Sequence, residues 1–292
     1  MTAETDTVLR QHRAEALAAA FPPLLVAAER VANAVAQGVH GRRRVGQGDT
    51  FWQFRPYSSN DAASRIDWRA SAKSARLYVR ESEWEAAQSV WLWRDGSPSM
   101  DYASDADRPT KRINADILLL ALASLLLRGG ERVTLLGSGV PPNSGRAVLT
   151  RLAIGLGGLN AGLPPPMLLP RDGQLVLFGD FLGPLSELDK AVSGFAARGV
   201  RGHLLQILDP AEETLPFAGR VRFEGVEGEQ PILMGRTESV RDGYIAKLAA
   251  HRAGIQAIAG AANWTFATHR TDRPAPQALL GLYNALAVPR RF

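Results

Sequence analysis

The stretch Asp95-Gly96-Ser97-Pro98-Ser99 sets a carboxylate two and four residues ahead of two hydroxyls, on a tight Gly/Pro turn. Such spacing can aim three oxygens at one point. A second carboxylate, Asp180, closes another apolar segment and would add charge to the same site. Hard oxygen donors of this kind suit Mg²⁺ or Mn²⁺, which takes octahedral geometry at about 2.0–2.1 Å and keeps several waters. A coordination position left open could be filled by an Asp or Glu from a partner protein. The same residues also read as a simple turn or helix cap. Spacing alone leaves the two readings open.

A second group of reactive types lies upstream. Arg55, Arg65, Arg69, Arg76 and Arg80 alternate with Asp61, Asp67, Glu81 and Glu83, with Trp52 and Trp68 among them. Mixed charges of this kind make internal ion pairs that fasten an irregular segment, with the tryptophans as apolar anchors. They also read as a docking surface for an acidic partner, formed by Arg55, Asp61, Arg65, Asp67, Trp68 and Arg69, with Arg42, Arg43 and Arg44 at its entrance. The five histidines, at 12, 40, 203, 251 and 269, show no metal-ligand spacing.

Several enzyme classes lack their residues. Phosphatases that form a phosphoaspartate need a second Asp two residues after the first as general acid, and Ser97 stands there. No G-x-S-x-G elbow and no G-x-x-x-x-G-K-[ST] loop occurs. Gly155-Leu156-Gly157 is followed by Asn160 where a dinucleotide site needs glycine, and it follows a helical pattern. The expectation is therefore a chain that is not an enzyme.

Regular elements must bring Asp95 and Asp180 together. An apolar strand ends at Asp95, and others cover 131–137, 174–179, 202–208 and 264–269. Helical patterns lie between them at 110–128, 147–157, 184–197, 238–259 and 275–287. Strands alternating with helices imply a mostly parallel sheet covered on both faces. In such sheets ligands bind beyond the carboxyl ends of the strands, where strand order reverses. The strand ends carry Asp95, Asp180, Asp209 and His269. Residues 13–40 read as a helix interrupted near Pro22 and Pro23, with an apolar stripe through Leu24, Leu25, Ala28, Val31 and Val35. Short strands at 51–55 and 77–83 follow. The domain reading is an N-terminal segment, 1–86, packed on a main domain, 87–292, with a small β insertion near 219–234.

The chain has 292 residues, 46% hydrophobic and 22% charged, a globular composition that leaves room for one large domain or two modest ones. The absence of cysteine excludes disulfides, thiolate metal sites and cysteine nucleophiles. The longest strongly apolar stretch, Ile117–Leu127, falls short of the roughly 20 residues a bilayer span needs. With no apolar signal core at the start, a cytoplasmic location is expected. The net charge of +5 is too mild to point to nucleic acid, although only four of 34 basic residues are lysine.

Asp-x-Ser-x-Ser after an apolar strand resembles the metal-ion-dependent adhesion site of von Willebrand factor A domains. The upstream residues Tyr57, Asp61, Ile66, Asp67, Trp68, Ala72, Lys73, Leu77, Val79, Arg80 and Glu81 resemble the signature of the bacterial "domain of unknown function 58" family, in its soluble α-proteobacterial branch. That resemblance implies an α/β, von Willebrand A-like, doubly wound fold with helices on both faces, plus an N-terminal helical and β segment. It implies a non-catalytic interaction module that partners a MoxR-type AAA+ ATPase and other von Willebrand A proteins in a chaperone-like or maturation role. It matches Asp95, Ser97, Ser99 and Asp180 to the positions that hold Mg²⁺ or Mn²⁺. The middle loop departs from the pattern. Intact adhesion sites place a threonine there, and Gly157-Gly158-Leu159-Asn160-Ala161-Gly162 has none. Two rivals follow: a metal-dependent phosphoryl-transfer or hydrolytic enzyme on the same carboxylates, and a metal-free scaffold with a degenerate motif.

Overall fold

A computed structural model describes residues 24–36, 51–58, 66–73, 76–82, 87–145, 147–226 and 230–286. Helix α1 covers 24–36. Strand β1 (Phe51–Pro56) pairs antiparallel with β2 (Tyr78–Ser82), and the single turn α2 (Trp68–Ser71) lies between them in sequence.

The remaining chain builds a five-stranded sheet from β3 (Ser89–Arg94), β4 (Arg132–Leu135), β5 (Gln174–Gly179), β6 (Arg201–Leu208) and β9 (Thr265–Arg270). Their order is β4-β3-β5-β6-β9, and each of the four pairings is parallel. Strands β3, β5 and β6 are buried along almost their whole length, as strands covered on both faces are. Order reverses at β3 and β5, so the crevice lies beyond their carboxyl ends. Asp95 and Asp180 are the next residues after those two strands.

One face of the sheet is covered by α1, α3 (Lys111–Arg128), α4 (Ala147–Leu156) and α8 (Ala275–Leu286). α5 (Leu185–Ala196) and α7 (Arg241–Ala261) cover the other. The alternation of β3 splits between the two layers: Val90 and Leu92 join the first core, Trp91 and Trp93 the second. Helix α3 is buried nearly all round because it lies beneath α1, α4 and α8 as well as on the sheet. Helix α1 packs through Ala28, Ala32 and Val35, and its Glu29 accepts from Ser124 Oγ at 2.7 Å.

The short helix α6 (Pro210–Thr214) follows β6 directly. The expected insertion near 219–234 contains β7 (Val221–Phe223) and β8 (Ile232–Met234), an antiparallel pair separate from the main sheet. Among the described residues no helix is long and apolar enough to cross a membrane.

Candidate site at the carboxyl edge of the sheet

Asp95 is almost wholly buried, and its N–H continues the ladder of β3 by donating to Phe178 O at 2.7 Å. Two glycines make room for it. A Cβ on Gly96 would stand 2.4 Å from the Leu159–Asn160 backbone, and one on Gly179 would stand 2.9 Å from Asp95 Cβ. Gly96 N–H donates to Ala161 O at 2.8 Å, which seats the 159–162 loop against the Asp95 turn.

From Asp95 a run of polar contacts crosses the strand tips. Asp95 Oδ1 accepts from Ser97 N–H at 2.8 Å and from Ser97 Oγ at 2.5 Å. Ser97 Oγ and Ser99 Oγ are 2.9 Å apart. Ser99 Oγ donates to Asp180 Oδ2 at 2.8 Å. Asp95, Ser97, Ser99 and Asp180, named from the sequence, are therefore joined in one hydrogen-bonded run.

Lys111 completes the run. It is the first residue of α3 and is wholly buried. Its ammonium donates to Asp180 Oδ2 at 2.8 Å and to Glu212 Oε1 at 2.5 Å. Burial alone would lower the Lys111 pKa, yet the charges and hydrogen bonds of Asp180 and Glu212 outweigh it and raise it above the ordinary value. Glu212 is itself fixed by the start of α6: its Oε2 accepts from Asp209 N–H at 2.8 Å, and Asp209 Oδ1 accepts from Ala211 N–H at 2.8 Å. The Asp209 side chain also accepts from the Glu212 backbone N–H, and with the Glu212 bond to Asp209 N–H this makes a capping box.

Two arginines hold the Asp95 turn by its carbonyls. Arg94, almost fully buried, donates from Nη1 to Asp95 O at 2.9 Å, from Nη2 to Leu156 O at 2.6 Å and from Nε to Asp116 Oδ1 at 2.9 Å. Arg112 donates from Nη2 to Ser97 O at 3.0 Å and Gly96 O at 3.3 Å, and pairs with Asp101. Sequence reasoning assigned no role to Glu212, Lys111, Arg94 or Arg112.

A divalent ion does not fit the residues as they stand. Asp180 Oδ2, the oxygen that faces the serines, already accepts from Ser99 and from the Lys111 ammonium. A doubly charged ion about 4 Å from that ammonium meets roughly 8 kcal/mol of repulsion at an effective dielectric of about 20. The middle loop meets Asp95 with Gly162, where a Cβ would lie 4.0 Å from Asp95 Oδ1, and residues 157–162 carry no hydroxyl side chain. Among the described residues no group of three or more His, Asp or Glu is placed to hold a metal.

The upstream signature is only partly described. Asp61, Arg65 and Arg42 to Arg44 lie outside the described residues. Arg55 is described by its backbone, which pairs with Val79. Asp67 N–H donates to Tyr78 O at 2.9 Å. Trp68 is 66% exposed and Arg69 is exposed as well. The reading of Trp68 as a buried anchor is therefore corrected: α2 turns its indole to solvent, and Ile66 and Val79 supply the buried apolar contacts there.

The family model described as "Protein of unknown function DUF58" matches residues 53–254. The chain belongs to the DUF58 family. In this DUF58 chain the match takes in both the Trp68 turn and the Asp95–Asp180 edge. Its five-stranded parallel sheet with helices on both faces is the doubly wound α/β arrangement that was expected, with Asp-x-Ser-x-Ser after its first strand and an acid after its third. Uncharacterized proteins of Mycobacterium tuberculosis and Mycobacterium bovis are each 27% identical over 275 residues, 88% of this chain and 86% of theirs. An aerotolerance-related membrane protein from Bacteroides fragilis is 17% identical, with a TM-score of 0.40 over 68% of this chain and 99% of that one. BatB from Bacteroides thetaiotaomicron is 14% identical, with a TM-score of 0.39 over 69% of this chain and 100% of that one.

Proposed function

We propose that this DUF58 chain is a non-catalytic protein-interaction module that works in the cytoplasm with a MoxR-type AAA+ ATPase, and with other von Willebrand A proteins, in assembling or maturing client proteins. The ATPase partner rests on the family resemblance. The interaction reading rests on Trp68. Its indole is 66% exposed on a turn fastened at both ends. Asp67 N–H reaches Tyr78 O at 2.9 Å, Ser71 N–H reaches Asp67 O at 2.9 Å, and Tyr78 N–H donates to Ser71 Oγ at 2.9 Å. Ser71 and Val79 are buried beneath it. A tryptophan on a backbone fastened in this way needs little main-chain ordering on contact, and Trp is among the residues enriched at binding hot spots. Exposed Arg69 and Leu77 extend the patch, which suits a partner with an apolar pocket edged by acidic groups.

The sheet edge supports a structural part in this role. Lys111 pairs with Asp180 and Glu212, the two serines tie Asp95 into the same network, and that network sets the loops that border the crevice. The test is recovery of a MoxR-type AAA+ ATPase on the immobilised full chain. Trp68→Ala lowers recovery at least about tenfold with the melting temperature unchanged. Equal recovery overturns the reading. Turnover of generic phosphoesters that is lost in Asp95→Ala overturns it in favour of an enzyme.

A further inference from the structure

We propose that the Lys111 ammonium takes the place of a divalent cation in the Asp95–Asp180 site, so that this chain carries its cation covalently and its sheet edge is set without metal. The inference does not depend on which partner docks.

The position of Lys111 is costly by every local rule. It opens α3, where the helix dipole disfavours a positive charge, and no acidic residue lies in that first turn to offset it. It is also wholly buried, where a lone ammonium is strongly disfavoured. Both penalties are met by the same two carboxylates. Asp180 arrives from the tip of β5 and Glu212 from the start of α6, and each accepts a charge-assisted hydrogen bond, at 2.8 Å and 2.5 Å. The backbone places the side chain deliberately: Lys111 N–H donates to Tyr102 O at 3.1 Å, and Thr110 Oγ1 caps the helix by accepting from Ile113 N–H at 3.3 Å.

The ammonium does what a bridging ion would do. A metal at this edge would draw the Asp180 carboxylate and the serine hydroxyls to one centre. Here Asp180 Oδ2 is shared by Lys111 Nζ and Ser99 Oγ, and the serines carry the link on to Asp95. Glu212 adds the tip of β6, so one cation gathers residues from three neighbouring strand ends. Where an adhesion site would supply a threonine hydroxyl, Gly162 stands instead. The donor missing from the ion's shell and the positive charge in its place are two independent departures in the same direction.

The experiment titrates the full wild-type chain, stripped with EDTA, with MgCl₂ and MnCl₂ by calorimetry, and repeats it on Lys111→Met. The wild type gives no saturable heat in the millimolar range, and its melting temperature is the same in EDTA and in Mn²⁺. Removing the ammonium frees Asp180 and Glu212, so Lys111→Met gains one-site Mn²⁺ binding at least about tenfold tighter and a Mn²⁺-dependent rise in melting temperature. Lys111→Met/Glu212→Gln strands one fewer charge and carries the same test if the single variant does not fold. Wild-type binding of one Mn²⁺ that is lost in Asp180→Asn overturns the proposal. So does a folded Lys111 variant that gains no affinity.

Discussion

Lys111 and Asp180, 69 residues apart, meet as a buried ion pair at 2.8 Å, and Glu212, 101 residues from Lys111, closes the other side of the ammonium at 2.5 Å. A pair of this kind is strongly destabilising to break, because removing one member strands the other's charge in the interior. Lys111→Met is expected to lower unfolding free energy by about 3–5 kcal/mol in urea denaturation without metal. Arg128→Met, which breaks the exposed pair with Glu29, is the control and costs under about 1 kcal/mol. Equal effects in the two variants would show that the buried pair adds nothing.

His203 makes stability depend on pH. It lies on β6, with Nδ1 2.8 Å from Thr265 Oγ1 and Nε2 3.4 Å from Gln174 Oε1. The Gln174 amide oxygen can only accept, so Nε2 carries the hydrogen of a neutral ring. Burial pushes the His203 pKa down to about 4. The unfolded chain takes up that proton below about pH 6.5, so between there and about pH 4 it holds more protons than the folded chain. Stability from His203 is complete above that window and falls by about 3 kcal/mol as the pH drops through it. Urea midpoints at stepped pH check this. His203→Gln flattens the slope in that interval, and an unchanged slope removes His203 as its source.

Gly96→Ala tests the close approach that seats the middle loop. The added Cβ would lie 2.4 Å from the Leu159–Asn160 backbone, which cannot yield as a flexible side chain can. A loss of about 1–3 kcal/mol is expected, with raised exchange of the residue-96 amide, which donates to Ala161 O. Gly183→Ala, which meets nothing within 4 Å, is the matched control and stays within about 1 kcal/mol.

The strand ends were legible in the sequence because parallel core strands leave short apolar runs, and an acid just past such a run stands at the sheet's carboxyl edge. Asp95 and Asp180 were found that way, and Ser97 and Ser99 by their spacing. Lys111 was not, because a lysine at a helix start reads as solvated and its partners lie far along the chain. Arg94 and Arg112 act through backbone carbonyls, which leave no mark in a sequence. Trp68 misled as an anchor because apolarity records what a side chain prefers, whereas the α2 turn decides where it points.

Arg94→Lys tests whether the Asp95 turn needs a planar fork. The guanidinium reaches Asp95 O, Leu156 O and Asp116 together, and a lysine ammonium on a flexible stem cannot span them. The variant keeps the charge, so a loss of about 1–3 kcal/mol at 25 °C reports geometry alone. A change below about 0.5 kcal/mol would show that charge suffices.

Diffraction from crystals soaked in MnCl₂, collected for the anomalous signal of manganese, tests the central claim most directly. The account predicts no peak between Asp95 and Asp180, with Lys111 Nζ within hydrogen-bonding distance of Asp180 and Glu212 and both serine hydroxyls turned to the carboxylates. A manganese peak bound by Asp95, Ser97, Ser99 or Asp180, with the Lys111 side chain swung aside, would contradict it.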